Sequence, residues 1–201
     1  MTVEDVIEMA RARRACKDAL AWAASMPDIE TASRSILPEW AAWLRRYCRD
    51  LSPEVQRQAE QVACQEPEWA AWMCSHCRDL APDVRQQAEQ VACQSPAGAA
   101  LLRSGCSDLP ESIARQAEQV ACQDPRWAAW LRRYCRDLSP EVQRHAEQVA
   151  FQSPAWAAWL RRWCSDLLAP KVQRQAEQAA CQSPKWAAWL RRHCLDLAEA
   201  S

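Results

Sequence analysis

The side chains richest in chemistry in this 201-residue chain are 12 cysteines, 3 histidines, a set of paired arginines and the 12 tryptophans among them. Thiols with imidazoles can hold a soft metal, and thiols alone can form disulfides. Rows of guanidinium groups can grip phosphates or carboxylates, and exposed indoles can stack on bases or rings. Spacing decides among these. The densest ligand group is Cys74-Ser75-His76-Cys77, which supplies too few ligands for a closed zinc site.

The other cysteines follow a repeat. The pattern Pro38-Glu39-Trp40-Ala41-Ala42-Trp43-Leu44-Arg45-Arg46-Tyr47-Cys48, continuing to Gln65, recurs from Pro67, Pro96, Pro125 and Pro154, and its first half recurs from Pro184. The period is 29 residues, with one step of 30 at the inserted Leu168. Each copy reads as two short helices. Ser52-Pro53, Ser95-Pro96, Asp124-Pro125, Ser139-Pro140, Ser153-Pro154 and Ser183-Pro184 each place an N-cap side chain before a proline in the first turn, where its missing N–H costs nothing. The chain has only 2 glycines, which disfavours hairpin-rich β folds and Gly-rich phosphate loops.

In the first helix of a repeat, Trp40, Trp43, Leu44, Tyr47, Cys48 and Leu51 share an arc of about 140°, with Arg45, Arg46 and Arg49 opposite. This places the tryptophans in the core. In the second helix Val55, Ala59, Val62 and Ala63 form a small-residue stripe, with Glu60 outside it beside Arg57. Helices this short are marginal alone, so stacked neighbours must stabilise them. In such a stack the cysteines of one row lie about 8–10 Å apart, beyond the roughly 7 Å limit between disulfide-linked Cα atoms. They read as small buried hydrophobes.

The turn and second helix, Asp50-Leu51-Ser52-Pro53-Glu54-Val55 and Asp79-Leu80-Ala81-Pro82-Asp83-Val84-Arg85, with Ala59 and Ala88 four residues after the valines, resemble the Asp-x-x-Pro-Glu-Val-Arg signature of short HEAT-type repeats, including the bilin-lyase-like subgroup. The resemblance implies an α-solenoid that binds partners along an extended surface, and it carries over no catalytic residue. The expected fold is therefore all-α, a right-handed α-solenoid of about five and a half 29-residue helical hairpins. Residues 1–37 read as a divergent N-terminal cap: Thr2 and Asp5 box a helix running to about Ala24, and Pro27 to Leu37 forms a shortened second helix. Residues 38–201 form the repeat array, with units starting at 38, 67, 96, 125, 154 and 184, as a single continuous domain.

The function these features support is a non-enzymatic scaffold for an unidentified protein partner, with no cofactor. The Arg pairs Arg45 and Arg46, Arg132 and Arg133, Arg161 and Arg162, and Arg191 and Arg192 form the expected partner-binding ladder on the outer face, opposite an acidic ladder of Glu60, Glu89, Glu118, Glu147 and Glu177. Nucleic-acid binding through the same arginines is the alternative, and Cys-based metal binding the third reading. None of the histidines, His76, His145 and His193, has a defined acid-base partner. Two irregularities mark further sites. Gly98, Leu101 and Gly105 replace both tryptophans and the tyrosine of the third copy, a hinge or groove. The last helix has no partner helix after it and carries an extra apolar Leu195, so Trp186, Trp189, Leu195 and Leu197 are expected to contact a second copy. A net charge of -1 and the lack of a leader or a long apolar run point to a cytoplasmic chain off the membrane.

Overall fold

The computed structural model describes residues 3–12, 15, 17–28, 31, 36–48 and 51–194. Leu195 and Leu197, and the Thr2 of the expected capping box, lie outside them. The chain divides into two compact units, residues 1–94 and 95–201, so the boundary falls at the start of the third repeat.

The first unit holds α1 (Val3–Ala12), α2 (Lys17–Ala24), α3 (Pro38–Tyr47), α4 (Pro53–Ala63), α5 (Pro67–His76) and α6 (Pro82–Ala92). The second holds α7 (Pro96–Gly105), α8 (Glu111–Ala121), α9 (Pro125–Tyr134), α10 (Pro140–Ala150), α11 (Pro154–Trp163), α12 (Pro170–Ala180) and α13 (Pro184–His193). Every described element is helical. In each unit the repeat helices pack as successive hairpins, and the first helix of one repeat also packs on the first helix of the next. The cap departs from expectation. Its first helix stops at Ala12 and a second begins at Lys17, packed against it, with the Ala15 amide reaching back to the Ala10 carbonyl.

Proline stands in the first turn of every repeat helix except α8, where Pro110 is itself the N-cap residue. Ser52, Ser95, Asp124 and Ser139 accept hydrogen bonds from first-turn amides, whereas Ser153 and Ser183 make no such bond. First helices end at a cysteine with negative φ, extended in most, such as φ -107°, ψ 95° at Cys77, but with ψ 17° at Cys164, and second helices end near φ -72°, ψ 2°, as at Cys64. Neither exit needs positive φ, which is why the repeat dispenses with glycine. The helix from Pro96 is continuous despite Gly98 and Gly105, with Gly98 buried and its amide bonded to the Ser95 hydroxyl at 3.0 Å.

The centre of each hairpin is small. Ala41 and Ala42 of α3 and Ala59 and Ala63 of α4 are fully buried, and the same four positions are alanine and buried in the four hairpins that follow. Leu44, Met73, Leu102, Leu131, Leu160 and Leu190 supply the bulk. The tryptophans do not. Trp40, Trp43, Trp69, Trp72, Trp127, Trp130, Trp156 and Trp159 are all half-buried, because alanine against alanine lets the two helices approach so closely that an indole fits only on the flank of the contact.

The arginines are also redistributed. Arg45, Arg132 and Arg161 are buried rather than on an outer face, and so are Glu60 and Glu147. Arg45 Nε donates to Glu60 of its own hairpin at 2.5 Å, and its Nη1 reaches Asp79 after the next first helix at 3.3 Å. Arg103 repeats this with Glu118 at 2.8 Å and Asp137 at 2.9 Å, Arg132 with Glu147 at 2.7 Å, and Arg161 with Glu177. The glutamates thus pair with the first helix rather than with arginines three residues before them. Arg57 and Arg115 instead hold the exposed Glu54 and Glu111.

The second repeat reaches the same pairing by another route. Cys74 occupies the position of Arg45, leaving Glu89 without a cation from its first helix, and Arg85 occupies the position of Gln56 and donates to Glu89 at 3.0 Å. Exchanging these two residues back defines a test. Arg85→Gln alone leaves a buried carboxylate without its cation and is expected to destabilise the first unit by about 3 kcal/mol. Adding Cys74→Arg should restore most of the loss in urea melts, and a double variant no more stable than the single one would refute the pairing.

Candidate functional site: an aromatic face on the first helices

With leucine, alanine and arginine turned inward, the first helices present their aromatic side chains along one flank. Within α5, α9, α11 and α13 the two tryptophans meet edge to face, with ring centroids 6.4 Å apart for Trp69 and Trp72, 6.0 Å for Trp127 and Trp130, 6.1 Å for Trp156 and Trp159 and 5.9 Å for Trp186 and Trp189. The ring four residues further on extends three of these pairs. Tyr134 lies 4.3 Å from Trp130, and His76 and His193 stack at 4.4 Å on Trp72 and Trp189. Both imidazoles donate from Nδ1 to the carbonyl of the residue on which they stack, at 2.9 and 2.8 Å, so they serve as aromatic plates fixed to their helix. Tyr134 and Trp163 are about half exposed, at 50% and 47%.

The charge beside the first tryptophan of a helix differs between the units. The residue before the first tryptophan is Glu39 or Glu68 in the first unit, and Arg126, Ala155 or Lys185 in the second. The Arg126 guanidinium lies 4.7 Å from the Trp127 ring and 6.0 Å from the Trp156 ring, and Lys185 Nζ lies 5.3 Å from Trp186. Arg162 lies 4.9 Å from Trp163. Of these cations Arg162 belongs to the expected ladder, whereas Arg126 and Lys185 look in the sequence like any first-turn residue.

Of the eight ladder arginines, Arg45, Arg132 and Arg161 are committed to internal carboxylates. Arg46 and Arg133 are half-buried, and Arg162, Arg191 and Arg192 are exposed. Burial by itself would lower the Arg45 pKa, but the hydrogen bond and charge of Glu60, with Asp79 behind it, outweigh burial and raise it. The ladder is therefore not a continuous cationic row. Trp186 and Trp189 pack against the last core cluster, with Ala157, Ala180 and Leu190.

In the third repeat, Gly98, Leu101 and Gly105 leave α7 without aromatic rings. A groove of about 710 Å³ opens there on the second helices, between Glu111, Arg115 and Ala114 of α8 and Glu141 and His145 of α10, and none of the three substituted residues lines it. Ala114 replaces the glutamine that elsewhere bonds a loop carbonyl, Gln56 to Leu51 and Gln143 to Leu138, both at 2.8 Å. In the first unit the aromatic face folds under the cap, and Trp22, Trp40, Trp43, Trp69 and Trp72 border an apolar cavity of about 340 Å³.

Cys181 is exposed, while ten other cysteines are buried. Burial drives the thiols of Cys64, Cys77, Cys93 and Cys122 up to about 11, and those of Cys135 and Cys164 up to about 12. Protonated thiols at neutral pH are poor nucleophiles and poor ligands. Among the described residues no three His, Cys, Asp or Glu side chains converge on a point, and no helix is long and apolar enough to cross a membrane. No family model, curated protein or solved structure matches the chain.

The thiols make stability depend on alkaline pH. The unfolded chain ionises them near their ordinary value of 9.0, while the fold keeps six of them protonated to about 11 or 12. Above pH 9 the unfolded state therefore binds fewer protons than the native state, so stability falls as pH rises and is fully retained below pH 9. Thiolate absorbance in a native titration should lag that of the urea-unfolded chain by about two pH units, and superimposable curves would contradict the burial.

Proposed function

We propose that the chain is a non-enzymatic helical-repeat module that binds a protein partner through the aromatic face of its first helices. The observation that carries this reading is the placement of the tryptophans. They are half-buried beside a core already filled by alanine, leucine and cysteine, and in the second unit cations are stacked on their rings. Such a face suits a segment with apolar or aromatic anchors and acidic residues. The likeness of the turn and second helix to short HEAT-type repeats supports the same conclusion, as does the stacking of His76 and His193 on tryptophans. The residues assigned to contact shift accordingly, from the Arg ladder as a whole to Arg126, Trp127, Trp156, Arg162, Lys185 and Trp186. A reducing, cytoplasmic setting fits so many protonated thiols.

Commitment of Arg45, Arg132 and Arg161 to internal carboxylates leaves fewer cations for a phosphate backbone, which favours protein over nucleic acid. Selection from a random peptide library should enrich sequences combining acidic and aromatic residues. Arg126→Glu should weaken the selected peptides about tenfold or more while leaving the melting temperature within a degree or two of wild type. Selection that yields no such peptides, together with single-stranded oligonucleotide binding that falls steeply with salt, would overturn the reading in favour of nucleic acid.

A further inference from the structure

The cavity under the cap has a chemistry that partner binding along the helices does not account for. One wall is aromatic, made by Trp40 and Trp43 of α3 and Trp69 and Trp72 of α5, with Trp22 of α2 standing 5.2 Å from Trp40. The opposite wall is the cap, whose Ala10, Ala15, Ala19 and Ala23 leave space where larger side chains would close it. At about 340 Å³ the cavity lies at the lower end of the range for small-molecule sites. It would hold roughly eleven waters at about 30 Å³ each. Indole and methyl surfaces offer those waters almost no hydrogen-bond partners, so an apolar body displaces them at little cost.

Glu39 is the charged side chain in the lining, and it has no ion-pair or hydrogen-bond partner among the described residues. It stands in the first turn of α3, next to Trp40, so the electron-rich indole faces and a carboxylate meet at one rim. Both attract a cation, and an ammonium that keeps its alkyl groups against the rings gains from each. At the same register in the second unit stand Arg126 and Lys185, already stacked on their tryptophans. There the protein supplies the cation; at Glu39 it supplies only the rings and the counter-charge.

We infer that this cavity binds a small hydrophobic organic cation, an alkyl- or arylammonium, with its apolar body among the five indoles and its charged nitrogen at Glu39. The inference goes beyond the aromatic face as a protein-binding surface and can fail separately from it. The test uses the full chain with benzyltrimethylammonium as probe, benzyl alcohol as a neutral control and phenylacetate as an anionic one, followed by calorimetry and by NMR of the tryptophan Nε1–H signals. Saturable one-to-one binding of the cation is expected, with benzyl alcohol at least about tenfold weaker and phenylacetate not saturating. Glu39→Gln should weaken the cation about tenfold and leave benzyl alcohol unchanged. Ala19→Phe, which puts a ring into the cavity from the cap, should abolish binding without lowering the melting temperature. Trp127→Ser in the second unit should leave cation binding intact.

Absence of saturation with wild-type protein would overturn the inference. So would equal affinity for benzyl alcohol with no effect of Glu39→Gln, or loss of binding in Trp127→Ser, which would move the site out of the cavity.

Discussion

A guanidinium group taken out of water must find acceptors, and much of the geometry of each repeat follows from where it finds them. Arg45, Arg103, Arg132 and Arg161 each reach a glutamate 15 or 16 residues on, in the second helix of the same hairpin. Arg45 and Arg103 then reach an aspartate 34 residues on, beyond the next first helix. One side chain thus fixes both how a hairpin closes and how it sits on its neighbour. Desolvating both charges costs several kcal/mol, so the pairing contributes more to register than to net stability. A stack of nearly identical alanine surfaces has little else to prevent slippage by a turn. Conserving the pairing matters more than conserving the position, as the Cys74 and Arg85 exchange demonstrates.

Turning those arginines inward settles what remains outside. Two alanines on each helix bring the hairpin axes close, leucine and cysteine fill the remaining volume, and the indoles are left on the flank with part of each ring in solvent. The same desolvation that holds the buried thiols protonated therefore accompanies a surface rich in aromatic rings. Packing and recognition are divided between residue types: small side chains for the first, tryptophan with a neighbouring charge for the second.

The repeat itself, its two helices, the proline starts and the second-helix stripe of Val55, Ala59, Val62 and Ala63 were legible in the sequence, because each rests on local periodicity or capping chemistry. What lay beyond reach was position within an arc. Trp40, Trp43 and Leu44 project within the same 140° or so, and only the presence of Ala59 and Ala63 on the facing helix decides that the leucine is central and the indoles peripheral. Arg45 likewise looks outward on a helical wheel of its own helix, since the second helix that covers it is not on that wheel. The pairing of Glu60 with Arg57 was inferred from spacing along one helix, while the real partner stood across the hairpin. The sequence does carry one sign of it: the copy that lacks Arg45's counterpart is also the copy with arginine in place of Gln56. No proline or glycine stands in the sequence between Ala12 and Lys17 to announce that one helix ends and another begins.

Leu168 illustrates how the array handles a change of length. The extra residue is taken up in a turn at the end of α11, where the amides of Leu167 and Leu168 both bond to the Cys164 carbonyl. Leu168 then occupies the buried place held by Leu138 one repeat earlier, and Gln173 bonds its carbonyl at 2.9 Å as Gln143 bonds that of Leu138. Asp166 is carried away to Arg133 at 3.7 Å, and the Leu167 carbonyl takes its place as acceptor for Arg132. A backbone oxygen, which every residue possesses, thus serves as a spare acceptor for a side chain that most residues lack. The exit of each first helix is consequently the point at which such a chain can vary in length, growing or shedding loop residues between copies while the stacked helices keep their frame.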